Sequence, residues 1–380
     1  MPRPFSAVGR RARQGLRTDD RAIAAVPVLN GKVVDLTGPG LTERWGVTCA
    51  DLGASVVAPN GKLVSVFGDT FSGRKLGQGD WRSPVVLIGT GDADHEIVYE
   101  RAGGDDPNYA RQLWHYIHDD AATGWTHGGI STVIPSDLLC DDGSIYLHAI
   151  VNRGFGNVIW TEIWRSDDSG ISWSHMGEDA KFPANLHGGY AQCWSWDYEP
   201  DDGWAYVVAT GFQRDKGIIV MRVRPEHIGQ RSRYVSWGYA DGRWAWGNAA
   251  TPITPQGEKW GELTFRWMAQ GKWVLGGFLA SKYALGYRVV DSPVAHMHTT
   301  ELQIPVVGSS WNDESHSKNK VAHLYGGYIL PGSRFDIQGG IGLVVTQWNT
   351  AVGWPYRAMQ FKATLKDTTK TVHRPDPINL

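Results

Sequence analysis

Two aspartates stand out by their surroundings. The run Val64–Phe67 is strongly apolar and passes through Gly68 into Asp69, then returns to Thr70 and Phe71. A carboxylate set among such neighbours must be paired, desolvated or put to chemical use. Asp51 lies on the other side of the Asn60-Gly61 turn, in the small-residue lead-in Asp51–Gly53. Cleaving a glycosidic bond needs one carboxyl group to protonate the leaving oxygen and a second to activate water or attack the anomeric carbon. Asp51 and Asp69 are the first pair that could do this. The bland alternative is that Asp69 caps a turn beside Thr70 and Asp51 bonds the Gly53 loop. Glu262 is either a third acid or the partner of Arg266, which stands on the same face of a strand; the ion pair is expected, still lining the same channel. His127, Gln192, Trp194 and Tyr325 occupy equivalent lead-ins and complete the candidate substrate-binding set, with Trp45, Trp81, Trp114, Trp125 and Trp348 as further stacking surfaces for sugar rings. About two-thirds of the tryptophans are expected to fill core gaps instead.

Other chemistries lack their residues. There is no phosphate-binding glycine loop, no dinucleotide fingerprint behind a strand and no nucleophile elbow. His115, His118, His127 and His187 show neither helical ligand spacing nor a partner cluster, so no metal and no cofactor are expected. Cys49, Cys140 and Cys193 cannot build a disulfide framework and read as small buried hydrophobes. With 37 basic and 39 acidic residues the net charge is −2, which argues against a nucleic-acid partner. No 18-residue apolar run exists, so no transmembrane helix and no membrane partner are expected. The start is basic, with arginines at 3, 10, 11, 13, 17 and 21, but no apolar stretch follows to make a secretory signal.

Positioning these groups falls to β-structure. Helical periodicity is scarce, while short alternating runs end in Asn60-Gly61, Asp142-Gly143, Asp201–Gly203 and Gln270–Lys272, the turn chemistry of hairpins. The lead-in glycines Gly53, Gly128, Gly189, Gly261 and Gly326 recur at intervals of about 60–75 residues. Five units with room for four strands each predict an all-β, five-bladed propeller, and the glycines are expected where inner strands crowd the axis. The 47 glycines and 19 tryptophans fit that architecture and carbohydrate handling. Ser166, Asp168, Gly170, Ser172 and Trp173 match the Asp-box, a structural hairpin of propeller blades. The expected division is an N-terminal arm or docking segment over 1–40, the propeller over 41–365 and a tail over 366–380, with a strand at Lys32–Leu36 closing the ring beside the last blade.

Trp45–Ala54 followed by Asn60–Phe71 resembles the opening blade of the actinobacterial family filed as domain of unknown function 4185, also classed as glycoside hydrolase family 183, the endo-D-arabinanases. Gly261–Arg266 with Gly271–Trp273, and Tyr325–Pro331, resemble it too, and the likeness covers about residues 40–365. The resemblance implies a five-bladed propeller that cuts internal α-linkages of the D-arabinan in mycobacterial arabinogalactan and lipoarabinomannan. It places the catalytic pair on Asp51 and Asp69 and implies inversion, with Asp69, in the more apolar run, as the expected acid. The family occurs in secreted bacterial enzymes and in phages. The basic arm points to a phage minor tail protein in the virion, a homo-oligomer docked to other tail proteins, with a secreted enzyme as the alternative. A propeller that binds arabinan without cutting it is the competing reading. A sialidase-like enzyme is excluded for want of its arginine triad.

Overall fold

Short β-branched runs broken by glycine turns cannot sustain helices, and each run pairs with the next across its own turn. The computed structural model describes residues 30–119, 126–154, 156–268, 270–335, 340–349 and 351–369. They form five sheets of four or five strands, antiparallel except where Lys320–Ala322 runs parallel to Gln303–Ser309. Helix among the described residues is confined to 3₁₀ turns, and none is long and apolar enough to cross a membrane.

Each sheet begins with a strand that contains or follows a lead-in: Cys49–Val57, Thr132–Asp141, Cys193–Tyr198, Trp260–Met268 and Leu324–Ile329. Each of these packs against the next and the fifth packs against the first, so they line the axis of a five-bladed propeller. The expected hairpins are the first two strands of the five blades. The ring is closed by Gly31–Asp35, which pairs antiparallel with Tyr356–Ala363, Gly31 opposite Lys362 and Asp35 opposite Met359. Gly31–Asp35 is thus the outermost strand of the fifth blade's sheet. At the other end Lys366 is tied into blade 4, its N–H bonding Gln303 Oε1 at 2.8 Å. The six arginines of the basic start lie outside the described residues.

Tryptophan does much of the packing between blades. Trp194, Trp196, Trp260 and Trp273 are fully buried, and a fully buried large side chain contributes about 1.5–3 kcal/mol through apolar transfer. The lead-in glycines do not share one cause. Gly53 has φ +115, and a Cβ there would stand 2.8 Å from Val344 of blade 5; at Gly128 nothing lies within 4 Å.

The Asp-box joins Val158–Ser166 to Ser174–His175 in blade 2. Asp168 Oδ1 accepts the N–H groups of Ile171 at 3.1 Å and Ser172 at 2.8 Å, Oδ2 accepts the Ser172 hydroxyl at 2.6 Å, and Trp173 donates to Gly170 O at 3.1 Å. Partial burial pushes the Asp168 carboxyl up, but the Ser172, Ser166 and Ile171 donors win and hold it below its ordinary value. Asp168→Ala is expected to cost about 1–2 kcal/mol in equilibrium denaturation. An unchanged midpoint would mean that Trp173 packing alone holds the turn.

Candidate functional site

Asp51 is presented by a broken ladder. Against Leu63–Phe71, the strand Cys49–Val57 shifts register between Ala50 and Leu52 and again between Leu52 and Ala54, with Leu52 at φ 62 and Gly53 at φ 115. Such bulges re-aim side chains. The Asp51 carboxylate comes to rest on Gly68, where a Cβ would lie 2.4 Å from Oδ1. Tyr356 and Tyr325 donate to Oδ2 at 2.6 and 3.1 Å. Oδ1 is buried and has no hydrogen-bond partner among the described residues. The residue is only 8% exposed. Burial, then repulsion from Asp69, push its pKa from the ordinary 3.8 to about 8; the two tyrosines pull down, and Glu262 adds a smaller upward push. Asp51 therefore keeps its proton at neutral pH.

Asp69 stands on the neighbouring strand of the same blade, partly exposed. Its Oδ1 accepts from Trp81 Nε1 at 2.7 Å and from the Thr132 hydroxyl of blade 2 at 2.8 Å. Burial raises its pKa, and these two donors act against the rise. The apolar run that flanks Asp69 in sequence does not make its setting the more apolar of the two, because its side chain leaves the run and stays partly exposed, whereas Asp51 is only 8% exposed. Asp51 is the better buried carboxyl and the better proton holder. The two carboxyls thus differ in burial, Asp51 almost enclosed and Asp69 partly exposed. Gly68→Ala should drive a methyl group into Asp51 Oδ1 and Leu52 Cδ1, the latter 3.0 Å away. Turnover is expected to fall at least about 100-fold, because small displacements of reacting groups cost that much; rates near wild type would show that Asp51 can shift without consequence.

The expected Glu262–Arg266 ion pair does not form. The strand Trp260–Met268 shifts register between Gly261 and Leu263, so residues 262 and 266 no longer share a face. Glu262 is buried and pairs with Arg214, whose Nε lies 3.1 Å from both carboxylate oxygens. Burial raises the Glu262 pKa and Arg214 opposes it. Glu262 thus remains at the site, close enough to influence Asp51. Arg266 turns deeper, making two 2.7 Å bonds to the fully buried Asp137 of blade 2.

The remaining candidates are distributed unevenly. Tyr325 reaches the site through Asp51. Gln192 spends its amide on a loop tie, donating to Ala184 O at 2.8 Å and accepting Phe212 N–H at 3.0 Å. Trp194 is wholly buried, stacked on His148 at 4.0 Å, so no face remains for a sugar. His127 is exposed on a turn whose backbone N–H bonds Asp119 at 2.7 Å. Trp81 touches Asp69, but its ring is stacked on His118 at 3.8 Å. Trp125 lies outside the described residues. Cys49 and Cys193 are buried and Cys140 partly so; burial pushes the Cys49 thiol up to about 12, so it stays protonated two residues from Asp51. Among the described residues no three His, Cys, Asp or Glu side chains stand together as a metal site.

Tyr356, Thr132 and Arg214 are the functional neighbours that sequence reasoning missed. Tyr356 lies 305 positions from Asp51, and a buried tyrosine on the third strand of blade 5 has no local signal. Arg214 sits in a loop 48 positions before Glu262, and no local pattern marks it as that residue's partner.

Three solved structures share the fold at low sequence identity. A Bacteroides ovatus protein assigned as a hydrolase superposes with a TM-score of 0.58 at 12% identity, covering 88% of this chain and 90% of that one. An exo-β-1,3-galactanase from Phanerochaete chrysosporium gives 0.52 at 9%, over 90% and 65%, and a family 43 β-1,3-galactosidase gives 0.51 at 10%, over 88% and 94%. This is the propeller fold of known glycoside hydrolases. In sequence, an uncharacterized 35.9 kDa protein of Mycolicibacterium smegmatis is 27% identical over 336 residues, 84% of this chain and 93% of that protein. Notoamide biosynthesis cluster protein J′ of Aspergillus versicolor is 26% identical over 325 residues, 81% and 83% respectively. The model of the family described as domain of unknown function (DUF4185) matches residues 37–362, a span that holds all five inner strands and both carboxylates, and the chain belongs to that family.

Proposed function

We propose that the protein is an endo-acting glycoside hydrolase that cuts α-linked D-arabinan of mycobacterial-type cell walls, in arabinogalactan and lipoarabinomannan, with inversion. The observation that supports this most is the unequal pair, Asp51 holding a proton up to about pH 8 beside a partly exposed Asp69. In the reaction the bond from the anomeric carbon to the leaving oxygen breaks as Asp51 delivers its proton to that oxygen. Water attacks the opposite face while Asp69 takes one of its protons, so Asp51 ends ionised and Asp69 protonated. Choice of D-arabinan rests on the resemblance of the first blade and agrees with the occurrence of a relative in Mycolicibacterium smegmatis.

The decisive experiment is incubation with mycobacterial arabinogalactan, with released oligosaccharides followed by chromatography and the first-formed anomer by NMR. Release of inverted oligosaccharides supports the proposal; retained anomers would overturn the inverting mechanism. No release with the polysaccharide still bound would mean a receptor-binding propeller. The pH profile is a separate check. Because Asp51 must be protonated, kcat/KM is expected to fall about tenfold per pH unit above about pH 8. An alkaline limb at pH 5–6 would reassign the acid.

The six arginines within residues 1–21 support the cellular part of the proposal, a minor tail protein of a phage virion, oligomeric and docked through that segment. Removing residues 1–29 is expected to abolish binding to tail proteins and leave hydrolysis intact. A full chain that is monomeric and indifferent to tail proteins would favour a secreted enzyme.

A further inference from the structure

A cavity of about 890 Å³ lies between the 104–115 segment that follows blade 1 and the Asp-box turn of blade 2. Its volume is at the top of the range of pockets that hold drug-sized ligands, enough for a short run of furanose rings. Trp81 belongs to both places, lining the cavity while its Nε1 is bonded to Asp69 at 2.7 Å. One wall is Tyr109 and Trp114. Tyr109 is fixed by donating to Asp80 at 2.6 Å and by Arg82, whose guanidinium lies 4.5 Å from the ring. Trp114 is backed by Trp164, stacked at 3.9 Å and 6°. The facing wall is Ile171, 37% exposed, with Trp173. Rigid aromatic surfaces lose little entropy on binding and match the C–H faces of sugars. The charges lining the cavity balance, Asp80 and Asp105 against Arg82 and Arg111, which suits a neutral polyhydroxylated chain better than an anion or a cation.

We infer that this cavity is a run of sugar subsites continuous with the catalytic pair through Trp81, holding the part of the glycan on one side of the bond to be cut. The assignment rests on the hydrolase reading above and deepens it. It also gives the Asp-box turn a second duty, since the hydrogen bonds of Asp168 set the position of the Ile171 wall.

The test compares Ile171→Arg, which fills the cavity from an exposed position, with Val98→Arg, a still more exposed change on the outer strand of blade 1. Each is assayed on mycobacterial arabinogalactan and on a short arabinofuranose oligosaccharide. Ile171→Arg is expected to lower the ratio of kcat/KM on polymer to that on oligosaccharide about tenfold, mainly through KM, and Val98→Arg to leave both rates as in wild type. Trp114→Ala repeats the test from the opposite wall without touching the Asp-box. A ratio unchanged in both cavity variants overturns the assignment. Should wild type release nothing, retention on immobilised arabinogalactan replaces the rates. Binding about tenfold weaker than Val98→Arg upholds the subsites although the hydrolase reading has failed, and equal binding overturns them.

Discussion

Asp51→Asn is expected to lose at least about 1,000-fold in arabinan hydrolysis while gaining stability, because the group that carries the proton is also a burden on the fold. Acid–base participation typically contributes 10²–10⁴-fold. The asparagine is nearly isosteric, and its carbonyl can still accept from Tyr325 and Tyr356, so the loss would be chemical and not structural. The stability gain follows from linkage. The Asp51 pKa is about 8 in the folded protein against an ordinary 3.8, so between those values the folded state binds the proton that the unfolded state releases. The folded protein is therefore progressively destabilised as pH rises from about 4 to about 8, and the burden is full above that. Asparagine has no proton to lose, and its gain should be nil below about pH 4 and reach about 1–3 kcal/mol by pH 8. That is less than full linkage, because the amide NH₂ would occupy the buried, partnerless Oδ1 position beside Gly68. Denaturation midpoints at pH 4 and pH 8 measure the difference directly. Asp69→Asn should match the loss of activity with a smaller change in stability, since Asp69 is partly exposed where Asp51 is buried. A stability gain equal at both pH values would mean that Asp51 is not the raised group, and full activity in either variant would remove the pair from the mechanism.

Arg266→Met is expected to destabilise the fold by about 3–5 kcal/mol, the usual cost of leaving one partner of a buried ion pair alone. Asp137 is fully buried, and both its oxygens are bonded by the guanidinium at 2.7 Å. Ser195, from blade 3, donates to Asp137 and accepts the Phe265 N–H at 2.7 Å. The network thus joins the inner strands of blades 2, 3 and 4. The double variant Asp137→Leu/Arg266→Met should recover more than half of the loss, because no charge is then stranded. If Arg266 instead held sugar at the channel, the single variant would fold with wild-type stability and show only a raised KM.

The catalytic candidates were legible because they are local. Asp51 and Asp69 lie on the first two strands of one hairpin, and antiparallel pairing across Asn60-Gly61 brings them together whatever the rest of the chain does. The blade count was legible for a similar reason, since each lead-in and turn repeats within a single blade, and the Asp-box declares itself in eight consecutive residues. Gly31–Asp35 could be assigned to ring closure because a cyclic fold leaves its last sheet one strand short.

Alternation of apolar residues, turn dipeptides and the period of the repeats determined, from sequence alone, the all-β class, the five blades and the hairpin that holds the carboxylate pair. Only the tertiary structure decided which of the two carboxyls keeps its proton, which arginine serves which acid, and which tryptophans are left a free face. Those outcomes depend on burial and on contacts between blades: Tyr356 reaches Asp51 from the far end of the chain, Thr132 reaches Asp69 from the next blade, and a bulge at Glu262 separates it from Arg266. Proton affinity is set by how much water and how many donors a finished fold leaves around a group, and neighbours in sequence do not record that.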